Sequence, residues 1–389
     1  MTERGRADVT LVAGTWPDMQ CGIAPYSYNL ARGLRDAGVQ VQVITAVGGR
    51  LEEGLAMETL SSWGLRGLVH LFAYLRRSRP CVVHLQHPTR ATRFAPAVYL
   101  MPVLVRLLLP RIRVVTTFHY LRPVDLRTAL LRAWFLVPAA ASHAVIVTTE
   151  REAGFLGHLL PRKRTTVVPA GLTLPLQRPS DVSRARQRAE LGFSPNDFVV
   201  GYFGFLLPNK GVEDLVRALA RTDPTVKGLI IGTNYPGTDD HAAHLLELAQ
   251  RSGISDRLVF TGAVPEDHLA AVVSCADAAA LPFHEGASLK RSSLLACLAL
   301  NIPVVTTRGP ELDPEMTDGK NLLLVPPRDA TRLASAFEQL RVNADLRRSL
   351  ATGGSALLRL VSWELIVDRH LKLYHSLSPL SGAGSEGAA

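Results

Sequence analysis

Short continuous apolar runs alternate with longer segments of mixed polarity from the beginning of the chain almost to its end. The runs are rich in Val and Ile, as expected of parallel strands that are buried on both faces of a sheet. The segments between them have the length and spacing of amphipathic helices. The pattern therefore predicts repeated strand–helix units. The predicted strands are residues 8–13, 41–46, 81–87, 113–119, 143–149 and 165–170 in the first half and 198–204, 227–233, 257–262, 278–283, 302–307 and 321–326 in the second.

These units fall into two consecutive sets of about six, which predicts two doubly wound α/β domains. A chain of 389 residues also exceeds the size at which one hydrophobic core is usual. The boundary is expected within residues 171–198, which contain three prolines, a short charged helix and a Ser-Pro-Asn-Asp turn. We therefore assign residues 1–172 to a first domain and 173–361 to a second, and we expect a flexible tail at 378–389.

The formal net charge of +9 is concentrated in the first half of the chain. Residues 1–180 contain 22 Lys and Arg against 10 Asp and Glu, whereas the rest contains 21 against 24. Such a basic surface is compatible with nucleic acid, anionic lipid or a phosphorylated substrate, but no aromatic-and-basic recognition motif supports a nucleic acid. Two basic apolar segments, residues 66–80 and 101–113, fit either helices packed on a sheet or helices lying on an anionic membrane.

The four cysteines are far apart and lack the spacing of metal ligands. Cys81, Cys275 and Cys297 fall in apolar runs, so buried thiols are expected there. The first residues lack the layout of a signal peptide, and no apolar run has the length needed to span a bilayer. These features predict a cytoplasmic protein without a metal site.

The most informative motif is PFHEGASLKRSSLLACLALNIPVVTT, which predicts the end of a strand, a turn, a helix and another strand. Glu285 lies at the mouth of the turn, Gly286 lets the backbone approach a ligand, and Ser288 is predicted to begin the helix. The start of a helix offers unpaired N–H groups and a partial positive charge, which suit a diphosphate. Because a carboxylate at the same place can bind sugar hydroxyls, the motif predicts a nucleotide-sugar site.

Basic side chains lie at the starts of predicted helices in the second half. Lys210 and Gly211 follow a strand and a proline turn, where a cation would strengthen a phosphate site. Lys290 and Arg291 are expected in the first turn of the helix after Gly286. Cations there oppose the helix dipole, so an anionic ligand explains them better than helix stability does. A solvent-facing turn is the alternative interpretation of Lys210, and a solvated helix face remains the alternative for one of Lys290 and Arg291.

In the first half, His119 ends a predicted strand at the carboxyl edge of the sheet, where such folds bind their ligands. His84 and His87 end the preceding strand and are weaker candidates. Gly22 precedes the first helix, where it suits either a tight turn or the approach of a phosphate. The surrounding residues 14–22 are not a Gly-x-Gly-x-x-Gly fingerprint, so dinucleotide binding is not supported.

Together these segments resemble the retaining family-4 glycosyltransferases with a GT-B fold, from about residue 9 to about residue 377. The motifs that carry the resemblance are CGIAPYSYNLARGLRDAGVQVQVIT, VVTTFH, FGFLLPNKGVEDLVRAL and the region from VFTGAVPEDHL to NIPVVTT. A closing segment, SWELIVDRHLKLYHSL, resembles the family's last helix, which would place residues 362–377 back on the first domain. The resemblance implies two Rossmann-like domains facing across a cleft, with the acceptor side in the first and the nucleotide sugar in the second.

The resemblance also implies a function in the biosynthesis of polysaccharides or other glycosides. A sugar would pass from a nucleotide-diphosphate donor to a glycan, lipid-linked or small-molecule acceptor, with retention of the anomeric configuration. No cofactor or metal ion is expected, and peripheral contact with an anionic membrane would suit a lipid-linked acceptor. The implied catalytic residues are His119 and Glu285, and the implied donor-binding residues are Gly22, Lys210, Val264, Gly286, Ala287, Ser288, Leu289, Arg291 and Ser293.

Two positions depart from the family pattern. Phe205 stands where the family has a phosphate-binding arginine, and Ser293 stands at the second position of its Glu-x7-Glu motif. One alternative is therefore a catalytically weak or inactive homologue that binds a sugar nucleotide or a partner. A sugar-nucleotide epimerase of the same architecture would need a pair of acid/base carboxylates, and the sequence offers no convincing pair.

Overall fold

A computed structural model of the protein describes residues 7–14, 23–46, 55–60, 62–87, 96–121, 136–235 and 240–380. The chain forms two compact units. Unit 1 comprises Met1–Thr173 and Ser362–Ala389, and unit 2 comprises Leu174–Val361. Most of the predicted tail, residues 381–389, lies outside the described residues.

Unit 1 contains a seven-stranded parallel sheet. In the order β3-β2-β1-β4-β5-β6-β7, β2 and β3 lie on one side of β1 and β4 to β7 lie on the other. The topological switch point of this doubly wound sheet is therefore between β1 and β4. The described strands are β1 (Val9–Ala13), β2 (Val41–Ala46), β3 (Ala56–Leu60), β4 (Val82–Gln86), β5 (Arg113–Phe118), β6 (Ala144–Val147) and β7 (Arg164–Val167), and the helices between them include α1 (Ile23–Asp36), α2 (Leu65–Ser78), α3 (Pro96–Leu108) and α4 (Glu150–Leu159).

One strand of unit 1 was missed by the hydrophobic pattern. β3 is an edge strand that pairs only with β2, and its sequence AMETL has Glu58 and Thr59 in place of a continuous apolar run. An edge strand has one neighbour instead of two, so polar side chains are tolerated there. Five of the other six strands of the sheet lie within the predicted runs, and β7 begins one residue before its run.

Unit 2 contains a six-stranded parallel sheet in the order β10-β9-β8-β11-β12-β13, with its switch point between β8 and β11. Each of its strands lies within one predicted run, except that β9 begins one residue before its run. This agreement is expected of Val- and Leu-rich strands buried between helices. The strands are β8 (Phe198–Phe203), β9 (Val226–Ile231), β10 (Leu258–Gly262), β11 (Ala278–Leu281), β12 (Val304–Thr307) and β13 (Leu323–Val325), and the helices are α5 (Asp181–Glu190), α6 (Val212–Leu219), α7 (His241–Arg251), α8 (Glu266–Val273), α9 (Ser292–Ala299), α10 (Ala330–Val342) and α11 (Ala344–Ala356).

The last helix, α12 (Trp363–Leu377), belongs to unit 1. Ser362 caps it by accepting a hydrogen bond from the Leu365 N–H, and its apolar face packs against α1 and β1. Ile366 and Tyr374 are fully buried in that core. Burying an aliphatic side chain of this size contributes about 1.5–3 kcal/mol, so α12 is part of the core of unit 1.

The sequence analysis expected no run long enough to span a bilayer, but by length and mean hydropathy residues 344–377 are one helical run within the described ranges that could cross a membrane. It consists of three successive elements, α11, a 3-10 helix at Leu357–Val361 and α12. The thiols of Cys81, Cys275 and Cys297 are buried, as expected from their apolar surroundings.

Candidate active site

The predicted donor-binding residues of unit 2 follow the carboxyl ends of its strands, beginning at the switch point. Lys210 ends a short 3-10 turn after β8, and Gly211 then starts α6 with a positive φ of 73°. A Cβ atom on Gly211 would lie 2.0 Å from the carbonyl oxygen of Pro282. Only glycine therefore allows the Lys210 turn to lie directly against the segment after β11.

A phenylalanine after β11 brings two of the predicted cations together. The Lys210 Nζ atom lies 5.2 Å from the centroid of the Phe283 ring, and the Arg291 guanidinium carbon lies 4.4 Å from the same centroid. Both distances are within the range of cation–π attraction. Phe283 itself is buried and was not identified from the sequence as a site residue.

The Arg291 side chain is only 10% exposed, and two carboxylates compensate its charge. Its Nη2 atom lies 3.1 Å from Glu285 Oε2 and 3.3 Å from Glu311 Oε2. Lys290 Nζ lies 4.0 Å from the same Glu311 oxygen. Arg291 therefore joins two acidic side chains, one from the predicted motif and one from the loop after β12.

Glu311 was missed because its neighbours in sequence do not form a recognisable motif. It is brought to Glu285 by two backbone segments in direct contact: the Glu311 N–H donates to the Glu285 carbonyl oxygen at 2.6 Å. Gly286 has a φ of 98°, and a Cβ atom on it would lie 2.9 Å from the Gly309 Cα atom. The only available signal was the position of Glu311 after a predicted strand, at the carboxyl edge of the sheet.

The prediction that a helix begins at Ser288 was wrong, and so was the placement of Lys290 and Arg291 in its first turn. α9 begins at Ser292, and Arg291 is its N-cap residue. The Asp313 Oδ2 atom accepts hydrogen bonds from the Leu289 N–H at 2.7 Å and the Ser288 hydroxyl at 3.0 Å.

The two hydrogen bonds to Asp313 hold residues 288–291 in a turn. The turn is closed by a hydrogen bond from the Arg291 N–H to the Ser288 carbonyl oxygen at 3.0 Å. Burial raises the pKa of the Asp313 carboxyl, and its two hydrogen bonds oppose that rise. Ala287, Ser288 and Leu289 are buried, so this turn is a packed element of unit 2.

The two departures from the family pattern are Phe205, which follows β8, and Ser293, in the first turn of α9. Ser293 is half-buried, and its Cβ would contact a Cβ added to Gly204 at 3.9 Å. Phe205 is 49% exposed, and its ring makes an edge-to-face contact with Tyr235 at 5.1 Å. The place of the expected arginine is therefore an exposed aromatic pair. Val264, in the loop between β10 and α8, is half-buried.

In unit 1, the predicted His119 follows the carboxyl end of β5. Its Nε2 atom lies 2.7 Å from Gln86 Oε1, and its ring contacts the edge of Tyr26 at 4.7 Å. Burial, with His87 and His370 nearby, lowers the pKa of His119 to about 3. The imidazole is therefore neutral at physiological pH and acts as a hydrogen-bonding group.

The weaker candidates His84 and His87 are both buried, and their pKa values are lowered chiefly by that burial. His84 hydrogen-bonds Tyr374 and Thr117, whereas the His87 ring stacks on Phe118 at 4.5 Å. Gly22 lies outside the described residues. Among the described side chains, no group of three or more His, Cys, Asp and Glu is arranged to hold a metal ion.

Two family profiles match the chain, one in each half. Residues 21–174 match "Glycosyltransferase Family 4", and residues 197–343 match "Glycosyl transferases group 1". Curated relatives include the D-inositol 3-phosphate glycosyltransferases of Segniliparus rotundus, 30% identical over 61% of this chain, and of Acidothermus cellulolyticus, 31% identical over 60%. These alignments cover 53% of each relative, so the chain spans about half the length of the curated relatives it matches.

Solved structures share the fold at low sequence identity. HepE of Anabaena, solved in complex with UDP, has a TM-score of 0.77 at 18% identity and covers 95% of this chain and 100% of its own. Sucrose-phosphate synthase of Thermosynechococcus elongatus has a TM-score of 0.74 at 22% identity and covers 96% and 99%. The similarity includes both units.

Proposed function

We propose, on the premise that this chain belongs to the family-4 glycosyltransferases and has their GT-B fold, that it transfers a sugar from a nucleotide diphosphate to an acceptor hydroxyl with retention of configuration. The observation that carries the proposal is the cluster at the switch point of unit 2. It combines Lys210, Arg291, Glu285 and Glu311 around Phe283. A diphosphate needs cations, and a sugar needs fixed hydrogen-bond acceptors, so the cluster suits both halves of such a donor.

In this proposal Lys210 stabilises the negative charge that develops on the leaving nucleoside diphosphate. Arg291 is already paired with two carboxylates, so its main part is to hold Glu285 and Glu311 in position for the sugar hydroxyls. The turn from Gly286 to Leu289 contributes backbone groups. Val264 would contact the base, and Ser293 would bind a ribose hydroxyl. Gly22 stays a predicted donor-binding residue by resemblance alone.

His119 has a different proposed role in substrate binding. Because its pKa is low, it stays neutral and would bind a substrate hydroxyl, not an anionic group. Glu285 and His119 are thus the proposed catalytic residues, and the chemistry needs no metal ion. HepE has been solved with UDP-glucose, which makes that nucleotide sugar the first donor to test here.

A thermal-shift series with the purified chain tests the donor. UDP-, GDP-, ADP- and TDP-sugars would be compared with the free sugars, followed by transfer assays that include inositol phosphate as one acceptor. Binding to the folded state alone stabilises it by RT ln(1 + [L]/Kd), so one base should raise the melting temperature above the others. If no nucleotide sugar shifts the transition and none is consumed, the proposal is wrong.

A second candidate function is binding without turnover. Phe205 in place of the expected arginine favours it, because an aromatic ring removes one positive charge from the diphosphate site. A single set of binding and turnover measurements distinguishes the two functions. A binding protein would show a donor-induced thermal shift but neither transfer nor donor hydrolysis, whereas an enzyme would show at least slow hydrolysis.

We also propose a cytoplasmic location with peripheral contact to anionic membrane on its inner face. At the end of α3, Leu107 and Leu108 are 70% and 63% exposed, and Arg106 and Arg111 are exposed beside them. Exposed apolar side chains flanked by arginines suit the interface of an anionic bilayer. In liposome flotation at low salt, the chain should float with anionic vesicles and not with neutral ones. A Leu107→Ser/Leu108→Ser variant should float less, and absence of flotation of the unaltered chain would contradict the contact.

A further inference from the structure

A continuous chain of hydrogen bonds leads from α12 to His119. Tyr374 Oη lies 2.6 Å from His84 Nδ1, and the His84 Nε2 atom lies 3.3 Å from the Gln86 amide nitrogen. The Gln86 amide oxygen then lies 2.7 Å from His119 Nε2. His84 and Gln86 share one face of β4 because side chains alternate along a strand. The last helix of the chain is thereby connected to the proposed catalytic histidine.

The protons of this series of hydrogen bonds have two self-consistent arrangements. If His84 carries its proton on Nδ1 and donates to Tyr374, its bare Nε2 accepts from the Gln86 amide, whose oxygen then accepts from His119 Nε2–H. If Tyr374 donates to His84 Nδ1 instead, His84 carries its proton on Nε2 and donates it either to Thr117 Oγ1 or, after reversal of the Gln86 amide, to the amide oxygen. In the reversed amide the nitrogen would face His119 Nε2, which would have to be bare. The tautomer of His119 thus follows the orientation of the Gln86 amide, which His84 biases through its own tautomer.

The observed geometry corresponds to the first arrangement, since the Gln86 nitrogen faces His84 and its oxygen faces His119. Thr117 Oγ1, at 2.7 Å from His84 Nε2, is also able to donate to that bare nitrogen. In this state His119 has a proton on Nε2 and a lone pair on Nδ1. A neutral imidazole with a bare Nδ1 accepts a hydrogen bond, so its ligand must be a donor such as a hydroxyl.

We propose that Gln86, His84 and Tyr374 are positioning residues that fix His119 as the Nε2–H tautomer, so that the site selects a substrate hydroxyl at Nδ1. The selection of a hydroxyl rests on the proposed function, whereas the tautomer itself does not. A carboxylate at the same place in a sugar would have no proton to donate, and His119 would repel it.

The surroundings of the histidine keep it neutral. Among the residues that the structure describes, the titratable groups facing His119 and His84 are Tyr26 of α1, His87 after β4, and His370 and Tyr374 of α12. Burial raises the pKa of Tyr26 and of Tyr374 and lowers that of His370 to about 4, so all of them are uncharged near neutral pH. His370 donates from Nδ1 to the Ile366 carbonyl oxygen at 2.7 Å, which fixes its own tautomer.

Nitrogen-15 NMR of the full chain, labelled in its histidine rings, tests the tautomer directly. A protonated and a bare ring nitrogen resonate in separate ranges, and His119→Asn identifies the His119 signals by their loss. The unaltered chain should show His119 as the Nε2–H form. Gln86→Met removes both amide contacts at similar size, so the signals should move toward the Nδ1–H form. A wild-type spectrum of the Nδ1–H form would overturn the proposal.

Two further variants keep the test independent of any folding defect. Gln86→Glu keeps the size and supplies a carboxylate beside Nε2–H, so the pKa of His119 should rise and the imidazolium signals should appear at a higher pH than in the unaltered chain. Tyr374→Phe should mix the two tautomers. The matched control is Tyr74→Phe, which removes a different buried tyrosine hydrogen bond, from the Tyr74 hydroxyl to Gln42 Oε1 at 2.9 Å, and should leave the His119 signals unchanged.

An unchanged His119 spectrum in both folded Gln86 variants would also overturn the proposal. Transfer assays distinguish failure of the proposed function from failure of the proposed His119 tautomer. If the unaltered chain turns over a donor, Gln86→Met should lower kcat more than it changes KM, and Gln86→Glu should add an ionisation to the pH profile. If no donor is turned over, the proposed function fails, while the ring spectra still decide the tautomer.

Discussion

Replacing Lys210 with Ala should lower the rate of sugar transfer by about 100- to 1000-fold while unit 2 stays folded. The side chain is half-buried at the end of a turn and stacks on Phe283, so it is held where a diphosphate would lie. Removing one preorganised charge contact of this kind costs about 2.7–4 kcal/mol of transition-state stabilisation. Steady-state kinetics with the donor found by thermal shift would measure the loss.

The control for this variant is Lys227→Ala. Lys227 is also half-buried in unit 2, but it lies near the amino end of β9, at the opposite edge of the sheet from the proposed site. The loss of transfer should be confined to Lys210→Ala, and both variants should melt near the unaltered chain. Turnover of Lys210→Ala at the unaltered rate would exclude this lysine from the diphosphate site.

Glu285→Gln should lower the rate of transfer by about 10- to 100-fold, because a charged acceptor for sugar hydroxyls becomes a neutral one. Glu311→Gln should act in the same direction, since both carboxylates share the Arg291 guanidinium. Each variant leaves the other carboxylate to balance Arg291, so the buried cation keeps a partner. Kinetics with several donor sugars would show whether Glu285 and Glu311 bind different hydroxyl groups of the sugar.

Glu338→Gln is a close match for Glu285→Gln outside the site. Glu338 is 33% exposed and pairs with Arg341 at 2.7 Å, whereas Glu285 is 32% exposed and pairs with Arg291 at 3.1 Å. Each change removes the charge of a partly exposed carboxylate in unit 2, and the buried Arg291 keeps Glu311 as its partner, so the effects on stability should be similar and small. Only the site variant should lose activity; equal activity in the two would remove Glu285 from the proposed mechanism.

Much of the fold followed from the sequence. Twelve of the described strands lie within the predicted apolar runs or begin one residue before them, and the GT-B fold inferred from the motif order was confirmed. The exception, β3, lies at a sheet edge, where burial imposes a weaker pattern. The roles of the predicted site residues remain predictions, but Lys210, Glu285 and Arg291 do lie in one cluster.

The errors have a common physical cause. Nothing near Ser288 in sequence shows that Asp313 will take up the Leu289 N–H and delay the helix to Ser292. Glu311 likewise reaches Arg291 only because two glycine-containing segments after β11 and β12 pack backbone to backbone. Local propensity cannot anticipate a competition for hydrogen bonds between residues distant in the chain.

The sequence by itself determined the strand–helix order, the two units and the chemical types of residue at the carboxyl ends of the strands, because apolar period and turn composition are local properties. The tertiary structure alone decided which charges are compensated and which partners the buried histidines have. Arg291 is neutralised by a carboxylate twenty residues away, and His119 is tied to Tyr374 through β4. Such contacts depend on how distant segments pack, and packing sets both the dielectric surroundings and the available hydrogen-bond partners.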